Sequence, residues 1–167
     1  GCRYAGAPNF YKIGGLGDGF HCAIDPLNDN ICFTESYYMN IKKSGDKGVS
    51  WSSVGGAFPA PVNFRDPGNN NQPTETVCFN TPLVIAPSNT SYVYAASCRF
   101  KRSTDAGGTW TNTLGAGYIN NASTPGIYMA VAPTNNLIVY LSTGPGGGSR
   151  SRLYKTTDGG NSFGEIT

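Results

Sequence analysis

Three carboxylates stand where an acid–base pair could work: Asp18, Asp66 and Glu75. They lie in loops leading into apolar stretches. Two such groups ~5–10 Å apart can cleave a glycosidic bond, one protonating the leaving oxygen while the other attacks or activates water. The plainer reading is three solvated loop acids. His21 is the only histidine, and it sits between Phe20 and Cys22 on an apolar segment. A lone His has no metal partners of the usual kind, so it reads as structural, and neither metal nor cofactor is expected. Tyrosine is the commonest aromatic, and Tyr37, Tyr38, Tyr118 and Tyr128 fall near loops. Exposed rings of this kind suit sugar faces and other amphipathic ligands. The competing reading is ordinary core packing.

An eight-residue pattern must position these groups: hydroxyl, any, Asp, any, Gly, any, hydroxyl, aromatic. It stands at Ser44, Asp46, Gly48, Ser50 and Trp51. It recurs at Ser103, Asp105, Gly107, Thr109 and Trp110, and at Thr156, Asp158, Gly160, Ser162 and Phe163. Asp and Ser side chains bond nearby backbone amides and hold tight turns. Gly accepts a positive φ, and the closing aromatic can plug the turn. Apolar, strand-like residues flank each copy, so each reads as a β-hairpin loop.

The three copies resemble the Asp-box, or BNR repeat, of β-propeller proteins such as xyloglucan-specific glycosidases, sialidases and sortilin-type receptors. The resemblance implies an all-β propeller of four-stranded antiparallel blades, with the box on the hairpin between third and fourth strands. In those families the box is structural and sits away from the active centre. The resemblance to xyloglucan-specific propellers would make Asp18, with Asp66 or Glu75, the catalytic acids. Phe64-Arg65-Asp66-Pro67 resembles the Arg-Ile-Pro motif of sialidases, with Asp in place of Ile, which makes Arg65 a ligand-binding candidate.

Residues 1–15 read as the outer strand of a preceding blade. A first blade spans 16–58, with strands expected at Phe20–Ile24, Ile31–Ser36, Met39–Lys43 and Trp51–Val54. A long polar loop fills 59–76; such loops are usually functional or mobile. A second blade spans 77–116, with strands at Pro82–Ala86, Tyr92–Ala96, Arg99–Ser103 and Thr109–Leu114. A third spans 117–167, with strands at Ile127–Val131, Ile138–Thr143, Arg152–Thr156 and Ser162–Ile166. Propellers close with roughly 4–8 blades. The remaining blades are therefore expected in the same, longer protein, or copies of the chain self-associate.

Charged residues are 13% of the 167, about half the usual share. No basic stripe suggests nucleic acid, and no apolar run approaches the ~18 residues of a membrane helix. Cys22 and Cys32 flank Leu27 symmetrically, and Cys78 and Cys98 flank Ser88. The symmetry predicts disulfides Cys22–Cys32 and Cys78–Cys98, and with them an oxidising, secreted or cell-surface location. Asn89-Thr90-Ser91 and Asn121-Ala122-Ser123 are N-glycosylation sequons in expected loops. The function expected is a glycan- or protein-interaction module of a larger extracellular protein. The alternatives are a glycoside hydrolase of xyloglucanase or sialidase type, and a subunit of an extracellular assembly that exchanges strands.

Overall fold

The computed structural model describes residues 19, 21–36, 39–54, 77–145, 148 and 150–167. Among them, twelve strands form three four-stranded antiparallel sheets, each a meander in chain order. The first unit holds β1 (Cys22–Ile24), β2 (Cys32–Ser36), β3 (Asn40–Ser44) and β4 (Ser52–Ser53). The second holds β5 (Leu83–Ile85), β6 (Val93–Ala96), β7 (Phe100–Ser103) and β8 (Thr111–Asn112). The third holds β9 (Gly126–Ala132), β10 (Asn135–Thr143), β11 (Leu153–Thr156) and β12 (Gly164–Ile166). The twelve strands expected in the three units are present within three residues of their expected bounds, while the outer strand expected in 1–15 and the loop expected in 59–76 lie outside the described residues. The second strands carry most of the burial, and all four residues of β6 are buried. A strand covered on both faces reads as an apolar run instead of an alternation, as Val93-Tyr94-Ala95-Ala96 does.

The core lies in the seams between sheets. One cluster, with Phe33, Met39 and Ile41 of the first unit and Leu83, Val93 and Trp110 of the second, fills the first seam. Another, with Tyr94 and Phe100 of the second unit and Val139, Leu141 and Tyr154 of the third, fills the next. The third unit also shows a face with Tyr128, Tyr140, Leu153 and Ile166 exposed. The strand registers put Tyr140 at the place of Phe33 and Tyr94, and Leu153 at the place of Ile41 and Phe100. Those four counterparts are all buried. Tyr128 therefore belongs to a seam-type sheet face, not to a loop.

Two turns lie side by side at one end of every sheet. In the first–second strand turn, Asn28, Asn89 and Asn135 each accept, on Oδ1, the amide two residues on, at 3.2, 3.2 and 2.9 Å. The carbonyls of Asn30, Ser91 and Leu137 then accept the amides of Lys47, Ala106 and Gly159 from the third–fourth strand turn, at 3.1, 2.8 and 2.9 Å. The device repeats three times because the same residue types recur.

The Cys22–Cys32 disulfide expectation fails on register. Cys22 faces Thr34, and Cys32 faces Ile24. The hairpin axis thus falls on Asn28 rather than Leu27, and each cysteine misses its partner by two residues. Diagonal positions lie about 7–8 Å apart, beyond the roughly 4.4–6.8 Å that a disulfide spans. Leu83 facing Ala95 likewise centres the second hairpin on Asn89. Cys78 lies before β5 and Cys98 in the β6–β7 hairpin, and Cys22 and Cys78 are free thiols.

Candidate functional site

The repeated turn is a closed hydrogen-bond unit. Ser44 Oγ donates to Asp46 Oδ1 at 2.7 Å and accepts the amides of Asp46 and Gly48 at 3.2 and 2.8 Å. Asp46 then takes the Ser50 amide and hydroxyl, at 2.8 and 2.5 Å. Ser103, Asp105, Gly107 and Thr109 reproduce these bonds, as do Thr156, Asp158, Gly160 and Ser162. All three carboxyls are held down to about 2. The first cause is the Ser50 hydroxyl for Asp46, the Thr109 amide for Asp105 and the Ser162 hydroxyl for Asp158. Carboxylates whose acceptor positions are spent on their own turn make poor proton carriers. These acids are structural.

In the second and third turns the aromatic at the eighth position closes a seam, while Trp51 of the first donates Nε1 to Gly48 O at 2.9 Å. Trp110 is buried in the first seam. Phe163 stands edge-on to Phe100 of the second unit, with centroids 5.0 Å apart. The second seam also carries polar ties: Tyr94 donates its hydroxyl to Asn136 O at 2.6 Å, and Arg102 Nη1 donates to Gly159 O at 3.0 Å.

The opposite end of the sheets is built differently. It collects the lead-ins to the inner strands and the second–third strand hairpins. Thr81 and Thr124 precede Pro82 and Pro125, and each hydroxyl donates to the carbonyl three residues back, at 3.3 Å. Gly126 N donates to Ser97 O at 2.8 Å and Ile119 N to Cys98 O at 3.0 Å. Arg99, in the β6–β7 hairpin, donates Nη1 to Gly115 O at 2.9 Å. Its guanidinium lies over the Tyr118 ring, 4.7 Å from the centroid. Tyr118 remains exposed. Several buried polar atoms at this end have no hydrogen-bond partner: His21 Nε2, Glu35 Oε2, Asn80 Oδ1, Asn120 Nδ2 and Thr143 Oγ1. Buried polar groups are normally satisfied, so this end holds unused hydrogen-bonding capacity.

Glu35 is the acid that sequence reasoning passed over. It is fully buried, and its Oε1 accepts the Thr81 amide at 3.3 Å across the first seam. Burial pushes its carboxyl up to about 7, against the pull of amides from Thr81, Met39 and His21. Burial also lowers the His21 imidazole below its ordinary value. The signal was available: Glu35 stands two residues from Phe33 in a strand whose neighbours are apolar or small.

Of the residues proposed to act on ligand, Asp18, Tyr37, Tyr38, Arg65, Asp66 and Glu75 lie outside the described residues. Tyr118 is at the end opposite the repeated turns, and Tyr128 on the exposed sheet face of the third unit. Asn89 is exposed in its turn and Asn121 half-buried. No group of three His, Cys, Asp or Glu able to hold a metal occurs among the described residues. No helix among them is long and apolar enough to cross a membrane.

No family model matches the chain, and no curated protein sequence does. Solved structures do. The GH74 enzyme of Niastella koreensis superposes with a TM-score of 0.55 at 23% identity, over 89% of this chain and 22% of that one. An ancestral GH74 enzyme gives 0.56 at 18% identity, over 89% and 18%. YCF48 bound to D1 peptide gives 0.58 at 10% identity, over 93% and 41%. These are propeller proteins. The fold is a β-propeller. Each four-stranded unit is a blade, and the chain spans less than half the length of each of these neighbours.

Proposed function

We propose that this chain is the ligand-binding part of a carbohydrate-recognising β-propeller, with its repeated turns serving as Asp-boxes that hold the blades. The ligand face is the end away from those turns. The single observation that carries this reading is Tyr118: an exposed ring backed by Arg99, whose guanidinium is tied to Gly115 O. A ring fixed in this way offers a flat apolar surface at low entropic cost to a sugar face. The likeness to GH74 enzymes supports a saccharide ligand, while YCF48 with its peptide supports a protein ligand on the same architecture. An extracellular setting belongs to this reading because polysaccharides are met there; the cysteines lend it no support.

Calorimetric titration with xyloglucan oligosaccharides and a panel of β-glucans tests the reading. Wild-type chain binds at least one of them, and Tyr118→Ala and Arg99→Ala each weaken binding by about tenfold or more, as loss of a hot-spot aromatic or its support does. Absence of saccharide binding, or binding that both variants leave intact, sinks it.

A further inference from the structure

Glu35 occupies a position where the other blades carry no charge. By strand register its counterparts are Ala96 in the second blade and Ser142 in the third. Its cross-strand neighbour is His21, whose carbonyl accepts the Glu35 amide at 2.8 Å. The counterparts of His21 are Pro82 and Tyr128. A buried acid and an imidazole at this place are therefore not required to build a blade. They belong to the first seam alone.

The surroundings of the carboxyl give it amides and no ion pair among the described residues. From the lead-in to β5 it meets the Thr81 amide, at 3.3 Å. From the β2–β3 turn it meets the Met39 amide, and from the lead-in to β1 the His21 amide. On β3 it faces Ile41, which is fully buried. Oε2 and His21 Nε2 are buried without partners. Among the described residues these segments also carry Cys22, Cys78, Lys42 and Lys43, and burial lowers the His21 imidazole below its ordinary value. Lys101, opposite Ala95 of the seam core, is buried and donates Nζ to Asn112 Oδ1 at 2.7 Å. No described cation reaches the carboxyl.

We propose that Glu35 is a proton-operated latch on the seam between the first two blades: protonated, it seats inside the seam; ionised, it forces the seam apart at the end away from the Asp-boxes. For this carboxylate, buried without a counter-ion, desolvation outweighs the amide hydrogen bonds it accepts. A neutral carboxylic acid keeps the Thr81 bond and adds a donor of its own. Opening is local because the clamped turns at the other end do not titrate near neutrality. The response runs upward from the unfolded carboxyl's ordinary value and ends near pH 7, where burial has moved the group.

The linkage has a definite sign. The folded carboxyl titrates above its unfolded value, so the fold is at full strength in mild acid. It weakens as pH rises toward about 7 and then levels. His21, shifted down, acts oppositely: its neutral form is favoured as pH rises. The two are separated by substitution. Thermal unfolding is followed between about pH 5 and about pH 8 for wild type, Glu35→Gln, Glu35→Ala and His21→Asn, together with the protection factor of the Thr81 amide. The melting temperature of the wild type falls by several degrees across this range and Thr81 protection drops severalfold, while both Glu35 variants stay flat and His21→Asn keeps the fall. Glu35→Ala installs the residue of the second blade and guards against a Gln variant that fails to fold. A wild type with no fall, an equal fall in the Glu35 variants, or a Glu35 carboxyl carbon that titrates near pH 4 by NMR overturns the latch.

Discussion

The ring of Phe100 lies on the backbone of Gly160, so close that a Cβ built on that glycine would stand 2.3 Å from the ring's Cδ1. Phe33 lies on Gly107 in the same manner, at 2.6 Å. In each case an aromatic of one blade uses the bare α-carbon of the next blade's turn as its seat. Both glycines also hold a positive φ, 95° at Gly160 and 82° at Gly107.

Gly160→Ala therefore meets two penalties at once. The left-handed backbone costs an L-residue about 1–2 kcal/mol, and overpacking against a seated ring costs about 1–3 kcal/mol more. Urea unfolding should show a loss of at least about 2 kcal/mol, with a similar loss for Gly107→Ala. Reversal of much of it by Phe100→Leu in the Gly160→Ala background would show that the ring is the obstacle. A Gly160→Ala protein as stable as wild type would refute the seat.

The fourth position of the same turn predicts the opposite response. Ala106 and Lys47 hold φ of 54° and 61°, where the third turn has Gly159 at 70°. Ala106→Gly relieves the strain of a left-handed Ala but gives the unfolded chain more freedom, about 0.4–1 kcal/mol. The net effect is between zero and about 1.6 kcal/mol of stabilisation. Its measure is the urea midpoint at unchanged slope; a clear loss would mean that the Ala106 methyl packs usefully.

The repeated turns and the strands around them were legible in the sequence because both are local. Ser103, Asp105, Gly107 and Thr109 bond one another within seven residues, and each type has a separate reason to be there. The seams were not legible. Phe33 meets Gly107 and Tyr94 meets Asn136 across long stretches of chain, and no spacing rule marks such pairs. The axis of the first hairpin was misplaced by one residue, although Asn28, Asn89 and Asn135 recur at the same point of each turn and mark it. Tyr118 was recognised as an exposed aromatic; its support by Arg99 depends on how two loops fold over the β6–β7 hairpin.

Acid should loosen all three repeated turns together. Asp46, Asp105 and Asp158 titrate at about 2 in the fold, below the ordinary carboxylate range. A depressed pKa contributes stability that is complete above the unfolded value, about 4, and is lost as pH falls through about 2. Unfolding midpoints measured from about pH 5 to about pH 2 should decline in this window. Asp105→Asn should already be destabilised at neutral pH and should show a shallower decline, because one of three linked groups is gone. An unchanged slope in that variant would assign the acid sensitivity to other carboxyls.

Cys22 is exposed while Cys32 is buried, although both lie on one face of the same hairpin. A thiol reagent can reach the first in the native protein and the second only when the hairpin opens. Brief treatment with a maleimide should label Cys22 first and the half-buried Cys78 more slowly, with Cys32 and Cys98 labelled after denaturation. Peptide mapping without reductant should recover Cys22 and Cys78 unlinked to Cys32 and Cys98. Recovery of a linked Cys22–Cys32 peptide would mean that the hairpin register differs by two residues from the one described, since only that shift brings Cys22 opposite Cys32.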